Sequence, residues 1–136
     1  MKELNLEIIS PNKIGYTGKV VSVTVPGSLG NFQILYNHAP IISSLEIGEI
    51  KLEESSGTKL RFATSGGTLE LSNNKVIILA ESFERTDNID IQRAEKSLKR
   101  AEERLENKKN EKIDELRAEM SLKRAINRIK SAKKHI

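Results

Sequence analysis

The side chains best suited to chemistry are grouped late in the chain: Asp90, Arg93 and Arg100, followed by Arg124 and Arg128. Asp90 and Arg93 are three residues apart, Arg100 follows Arg93 by seven, and Arg124 and Arg128 differ by four, all spacings that share one helix face. Guanidinium forks suit the oxygens of a polyphosphate, and a carboxylate at a helix start accepts hydrogen bonds from a sugar or an amino group. The competing account makes the same five residues intrahelical ion pairs on solvated faces, the usual fate of charges on such helices. From spacing alone that plainer account is the stronger.

Catalytic equipment is scarce elsewhere. His38 and His135 are the only histidines, and neither has acids beside it at triad or metal-ligand spacing. His38, within Asn37-His38-Ala39-Pro40, reads as a hydrogen-bonded loop residue, and His135 stands at a fraying C-terminus. Gly66-Gly67 runs into Thr68 and no phosphate-binding G-x-x-x-x-G-K-[ST] string occurs. Glu53 and Glu54 fall on opposite faces of one strand, which keeps them from acting as a carboxylate dyad. The absence of cysteine removes disulfides and thiolate metal sites and suits a reducing compartment. The residues therefore predict no catalytic centre and no metal site.

Two kinds of element position this inventory. Residues 1–82 alternate apolar and polar at period two, as in Leu4, Leu6 and Ile8 or Val21, Val23 and Val25, the pattern of strands with one buried face. Ser55-Ser56-Gly57, Ser65-Gly66-Gly67 and Asn73-Asn74 supply turn chemistry between runs. Their regular spacing predicts a meander in an antiparallel sandwich or barrel, with two longer loops at Pro26-Gly27/Gly30 and at Pro40. After Glu84 the period changes. Ile91, Ala94, Leu98, Ala101 and Leu105 form a narrow helical seam, with Asp87 or Asn88 as the expected cap and Asp90 placed where the helix dipole favours an acid. Asn107-Lys108-Lys109-Asn110 interrupts the seam; Ala118, Leu122, Ala125, Ile129, Ala132 and Ile136 resume it, widened by Ile113, Leu116 and Met120. Two helices joined by a short polar loop fold back antiparallel. The expected organisation is a β domain over 1–85 and a helical hairpin over 86–136.

At 136 residues the chain has room for a small domain with an appendage. Its net charge of +4 is unevenly placed: residues 1–85 carry eight Lys/Arg against nine Asp/Glu, and residues 86–136 carry fifteen against ten. A basic hairpin suits nucleic acid, an anionic membrane or an acidic protein. Against nucleic acid, its cations are interleaved with acids and it has no aromatic residue for stacking. The longest apolar stretch, Val76 to Ala80, is too short to span a bilayer, and Met1 opens into a strand pattern instead of a signal peptide, predicting a soluble or peripheral, unprocessed protein. The alanine-rich seams bury little area per turn, so the hairpin should open easily; its second helix alone could reach roughly 35 Å.

Val21-Ser22-Val23-Thr24-Val25-Pro26-Gly27, Gly30-Asn31-Phe32-Gln33-Ile34-Leu35, His38-Ala39-Pro40, Leu45, Gly48 and Ser65-Gly66-Gly67, taken together in register, resemble the epsilon subunit of bacterial F-type ATP synthases. The resemblance implies an N-terminal antiparallel β-sandwich followed by a C-terminal antiparallel two-helix hairpin, in a non-catalytic subunit peripheral to the cytoplasmic face of the bacterial plasma membrane. It implies docking on the gamma subunit and the c-subunit ring, and a hairpin that rests on the sandwich or extends into the alpha/beta catalytic head to inhibit ATP hydrolysis. Nucleic acid is not among the implied partners. The family's ATP-binding signature stands as Ile89-Asp90-Ile91-Gln92-Arg93-Ala94. By the same resemblance ATP is a regulatory ligand, no cofactor being required, and its site would comprise Glu84, Ile89, Asp90, Arg93, Ala94, Arg100, Arg124 and Arg128. Inhibitory contacts to acidic segments of the head would fall to Lys123, Arg124 and Arg128. Two positions depart from the family pattern: Asn31 replaces a common glutamate, and Thr68 replaces an aromatic residue, with altered packing expected beneath that hairpin.

Overall fold

A computed structural model of the chain describes residues 2–11, 13–106 and 112–133, with side chains over those ranges except at 13, 14, 88, 104–106 and 112–116. Two compact units divide the chain, Met1–Arg85 and Thr86–Ile136.

Unit one is a nine-stranded sheet folded into a β-sandwich: β1 (Leu4–Ser10), β2 (Lys13–Gly27), β3 (Gly30–Leu35), β4 (Ile41–Leu45), β5 (Gly48–Glu54), β6 (Lys59–Thr64), β7 (Gly67–Ser72), β8 (Lys75–Ala80) and β9 (Phe83–Arg85). Strands run in the order β1-β8-β7-β4-β2-β5-β6-β9, with β3 and β1 also on β2. The fifteen-residue β2 organises the unit. Its first half pairs with β1, its second half with β3, and it also carries β5. All pairings are antiparallel except that of β1 with β8, whose parallel register runs from Asn5↔Lys75 to Ile9↔Leu79.

The period-two residues face inward as their spacing requires, except at Val21: the pairing of β2 with β5 shifts register between Val20 and Ser22, so Val20 is buried in the core and Val21 is only half-buried. Leu4, Leu6 and Ile8 of β1, Val23 and Val25 of β2, and Leu69, Leu71, Val76 and Ile78 of β7 and β8 form one core. At one edge Tyr16, Phe62 and Phe83 make two edge-to-face contacts, with ring centroids 6.1 and 5.7 Å apart. The Phe83 ring lies over Gly15, where a Cβ would collide with it and with the Ile8 carbonyl.

The expected longer loop at Pro26-Gly27 and Gly30 is instead a tight hairpin. Pro26 pairs with Asn31 and Gly27 with Gly30, leaving Ser28-Leu29 as the turn. Proline is tolerated there because its missing N–H falls at a strand end. Asn73 and Asn74 both take positive φ, 50° and 61°, the type I′ turn geometry that joins β7 to β8. Asn74 also accepts the Asn37 backbone N–H on Oδ1 at 2.7 Å, tying the β3–β4 connection to that turn. His38 sits in this connection, its Nδ1 donating to the Ala39 carbonyl at 2.7 Å. Thr68 lies exposed on the outer face of β7, so its side chain leaves the core packing beneath untouched.

Candidate functional site

Unit two contains a 3₁₀ turn over Thr86–Asn88 and two helices, α1 (Ile91–Glu106) and α2 (Lys112–Lys133). The helices pack together, and Lys133 Nζ lies 3.9 Å from Glu95 Oε1, so the end of α2 meets the start of α1 and the pair is antiparallel. Among the described residues the buried positions of their seam are alanines: Ala94 and Ala101 of α1 and Ala118, Ala125 and Ala132 of α2. The larger seam residues Leu98, Leu122 and Ile129 are only half-buried. Each buried methyl contributes on the order of 0.8 kcal/mol, so the helices approach closely with little apolar area between them. The expected break at Asn107–Asn110, His135 and Ile136 lie outside the described residues, as do the side chains of the expected seam residues Leu105, Ile113 and Leu116.

The helix cap is Asp90, not Asp87 or Asn88, which belong to the preceding 3₁₀ turn. Asp90 Oδ1 accepts the backbone N–H of Arg93 at 3.1 Å, and the Asp90 carbonyl accepts that of Ala94 at 2.9 Å. The first satisfies an N–H that the helix itself leaves without a partner, and the carboxylate meets the positive end of the helix dipole. Ile89, before the cap, and Ala94, four residues after it, are both buried, at the two positions of a hydrophobic staple. The segment Ile89-Asp90-x-x-Arg93-Ala94 is therefore a complete helix start. What remains of it for a ligand is the Arg93 guanidinium and the second Asp90 oxygen.

Those groups face a cleft of about 720 Å³, lined among the described residues by Asp90, Gln92, Arg93, Lys96, Lys99, Arg100 and Glu103. A volume of that size lies within the roughly 300–1,000 Å³ of small-molecule sites. Four cations against two carboxylates give it an anion's chemistry, with the helix N-terminus adding to the field. The structure thus brings Asp90, Arg93 and Arg100 together, while Ile89 and Ala94 are buried as packing residues. Glu84 is half-buried in β9, a strand of unit one. Arg124 is exposed and Arg128 half-buried one turn apart on α2, outside the described lining of the cleft, and Lys123 is exposed beside them. Gln92, Lys96, Lys99 and Glu103 escape notice when attention is confined to arginines and the signature. Lys96 follows Arg93 by three, and the successive intervals from Gln92 to Lys96, Lys99 and Glu103 are four, three and four, which is the signal that places them on one helix face.

Among the described residues, no group of three or more His, Asp or Glu is placed to hold a metal ion, and no helix is long and apolar enough to cross a membrane.

Residues 3–86 match the family described as ATP synthase, Delta/Epsilon chain, beta-sandwich domain, and residues 87–133 match its long alpha-helix domain. The chain belongs to the ATP synthase delta/epsilon chain family. Among curated relatives it is similar to the ATP synthase epsilon chain of Desulforamulus reducens, 39% identical over 81% of this chain and 83% of the relative. It is likewise similar to that of Nitratidesulfovibrio vulgaris strain DP4, 45% identical over 76% and 77%. Among solved structures it resembles a chain in the OSCP/F1/c-ring of Euglena gracilis mitochondrial ATP synthase, with a TM-score of 0.79 at 19% identity, covering 90% of this chain and 77% of that one. A chain in the central stalk/c-ring of the Tetrahymena thermophila enzyme gives a TM-score of 0.63 at 14% identity, covering 97% of each. At those identities the structural likeness shows the fold alone.

Proposed function

We propose that this chain is a non-catalytic central-stalk subunit of a proton-translocating F-type ATP synthase, peripheral to the membrane. Its sandwich docks on the gamma subunit and the c ring, and its helical hairpin governs ATP hydrolysis by the catalytic head. Support for the stalk role comes from family membership through both units and from relatives carrying the epsilon-chain name over three quarters or more of their length. Turnover belongs to the complex, in keeping with relatives that are epsilon chains of ATP synthase.

The observation that carries the regulatory reading is the cationic cleft on α1, in a hairpin held by an alanine seam. ATP bound along Asp90, Arg93 and Arg100, with Arg124 and Arg128 from α2, stabilises the folded hairpin. When ATP is scarce the helices separate, and Lys123, Arg124 and Arg128 meet acidic segments of the catalytic subunits. The ligand can shift this balance only through its differential affinity for the folded form. Calorimetric titration of the full chain with ATP tests the sensor role, with Arg93→Ala as the control; absence of heat at millimolar ATP removes it while leaving the stalk role standing.

A further inference from the structure

The turn between β7 and β8 ends in a residue that does more than the turn requires. Asn73 and Asn74 hold its two central positions at positive φ, and glycine is the residue most at ease in the second. Asn74 is half-buried and uses its amide across the fold. Its Oδ1 accepts the Asn37 backbone N–H at 2.7 Å, and its Nδ2 donates to Asn37 Oδ1 at 3.3 Å. Its own carbonyl accepts the backbone N–H of Asn5 at 2.9 Å. One residue thus joins the β7–β8 turn to the β3–β4 connection through its side chain, and to β1 through its backbone.

The connection has need of such a tie. It carries the chain from β3, which pairs with β2, to β4, which pairs chiefly with β7, and residues 36–40 enter no strand ladder. Asn37 within it takes a φ of 63°, a conformation that asparagine tolerates as a single residue. The His38 N–H donates to the Leu35 carbonyl at 3.1 Å, a bond local to the connection, whereas the pair with Asn74 reaches a different element.

The surroundings of this tie have the composition of a protein interface. Leu35, Tyr36 and Ile42 are 51, 40 and 80% exposed beside the connection. Residues 28–44 include no Asp, Glu, Lys or Arg, in a chain that is 31% charged. Charged residues are depleted and aromatic residues enriched at the centre of protein–protein interfaces. An anionic lipid surface or a nucleic acid would instead select Lys and Arg, which this stretch lacks.

We infer that Asn37 and Asn74 are positioning residues for docking: their paired amides hold the 36–40 connection, and with it Leu35, Tyr36 and Ile42, in the shape that the gamma subunit meets. The inference rests on the reading that the sandwich docks on gamma, and adds which part of the sandwich must be held in advance. A connection free to sample other shapes presents the docking shape only part of the time, and the apparent affinity falls by that fraction.

Asn74→Gly isolates the role. Glycine keeps the positive φ, and asparagine followed by glycine is a favoured pair for this turn, so the hairpin persists while both amide bonds are lost. The variant should melt close to the native chain, and hydrogen exchange at the Asn37 amide should quicken. Binding of the full chain to the catalytic head with its gamma subunit, freed of this chain, is followed by biolayer interferometry. It should weaken about fivefold or more, the order of one neutral hydrogen bond. Because Leu35, Tyr36 and Ile42 are unchanged, the loss should lie in the association rate. Asn37→Gly, also at a position of positive φ, should weaken binding in the same way. Native-like binding by both variants, or unchanged exchange at the Asn37 amide in Asn74→Gly, overturns the inference and leaves the docking reading standing. A loss confined to the dissociation rate overturns it too, by making Asn74 a contact residue. If the native chain itself does not bind, the docking reading fails and this inference with it.

Discussion

The Asp90 carboxylate accepts the backbone N–H of Arg93 at 3.1 Å and so holds the first turn of α1 in place. The same two residues line the cationic cleft. A motif associated with a ligand is thus also a helix-start motif, and the two roles separate by substitution. Asp90→Asn keeps a side-chain oxygen for the cap and removes the charge; Asp90→Ala removes both. The alanine variant should lose about 1 kcal/mol of helix stability, and the asparagine variant a small fraction of that. Thermal melts followed at the helical signal check this, and equal losses in the two variants would count against the cap.

Arg93→Ala and Arg100→Ala separate recognition from folding, because both side chains are exposed. Each should change stability by no more than about 0.5 kcal/mol. Each should weaken ATP binding about tenfold or more, as expected when a charge-assisted hydrogen bond to phosphate is lost. Native-like ATP affinity in both variants would show that the cleft is not where the nucleotide sits.

The Tyr16 hydroxyl donates to Glu54 Oε2 at 3.0 Å. Burial, helped by that hydrogen bond and by the Glu54 charge, pushes the phenol up from 10.0 to about 12. Because the folded chain holds this proton more tightly than the unfolded one, the contribution to stability is full below about pH 10, declines between about pH 10 and 12, and does not fall further above that. In a Tyr36→Phe background, where Tyr16 is the only phenol, an absorbance titration should show one transition near 12, moved downward by Glu54→Gln. A transition near 10.0 with Glu54 intact would contradict the burial of this edge.

Gly15→Ala tests the seat of β9. The added methyl meets the Phe83 ring and the Ile8 carbonyl, and the backbone cannot yield cheaply, so the variant should lose about 1–3 kcal/mol. Chemical denaturation monitored by the strand signal measures the loss. A neutral result would mean that Phe83 is not packed on Gly15.

Much of this was legible in the residues, for reasons particular to each element. Leu4, Leu6 and Ile8 announce a strand because one face is buried, and Ala94, Leu98 and Ala101 announce a helix because one stripe is. The parallel pairing of β1 with β8 left no such mark, since it joins segments some seventy residues apart through backbone groups that every residue shares. Pro26 and Gly27 suggested a loop because both favour turns; pairing with Asn31 and Gly30 overrode that preference. At the helix start, Asp87, Asn88 and Asp90 are all competent caps, and only the geometry selects Asp90. The lining lysines of the cleft, Lys96 and Lys99, were spaced to be found from Arg93, at three and six residues beyond it.

Contacts between the basic face of α2 and acidic segments of a catalytic head should weaken with salt, because exposed charges are screened within about 8 Å at physiological ionic strength. The most direct measurement is ATP hydrolysis by the parent complex carrying the full chain, compared with the complex whose chain ends after Arg85, at low ATP and low salt. A governing hairpin predicts faster hydrolysis by the truncated complex, with the difference shrinking as ATP or salt rises; equal rates under all these conditions would contradict it.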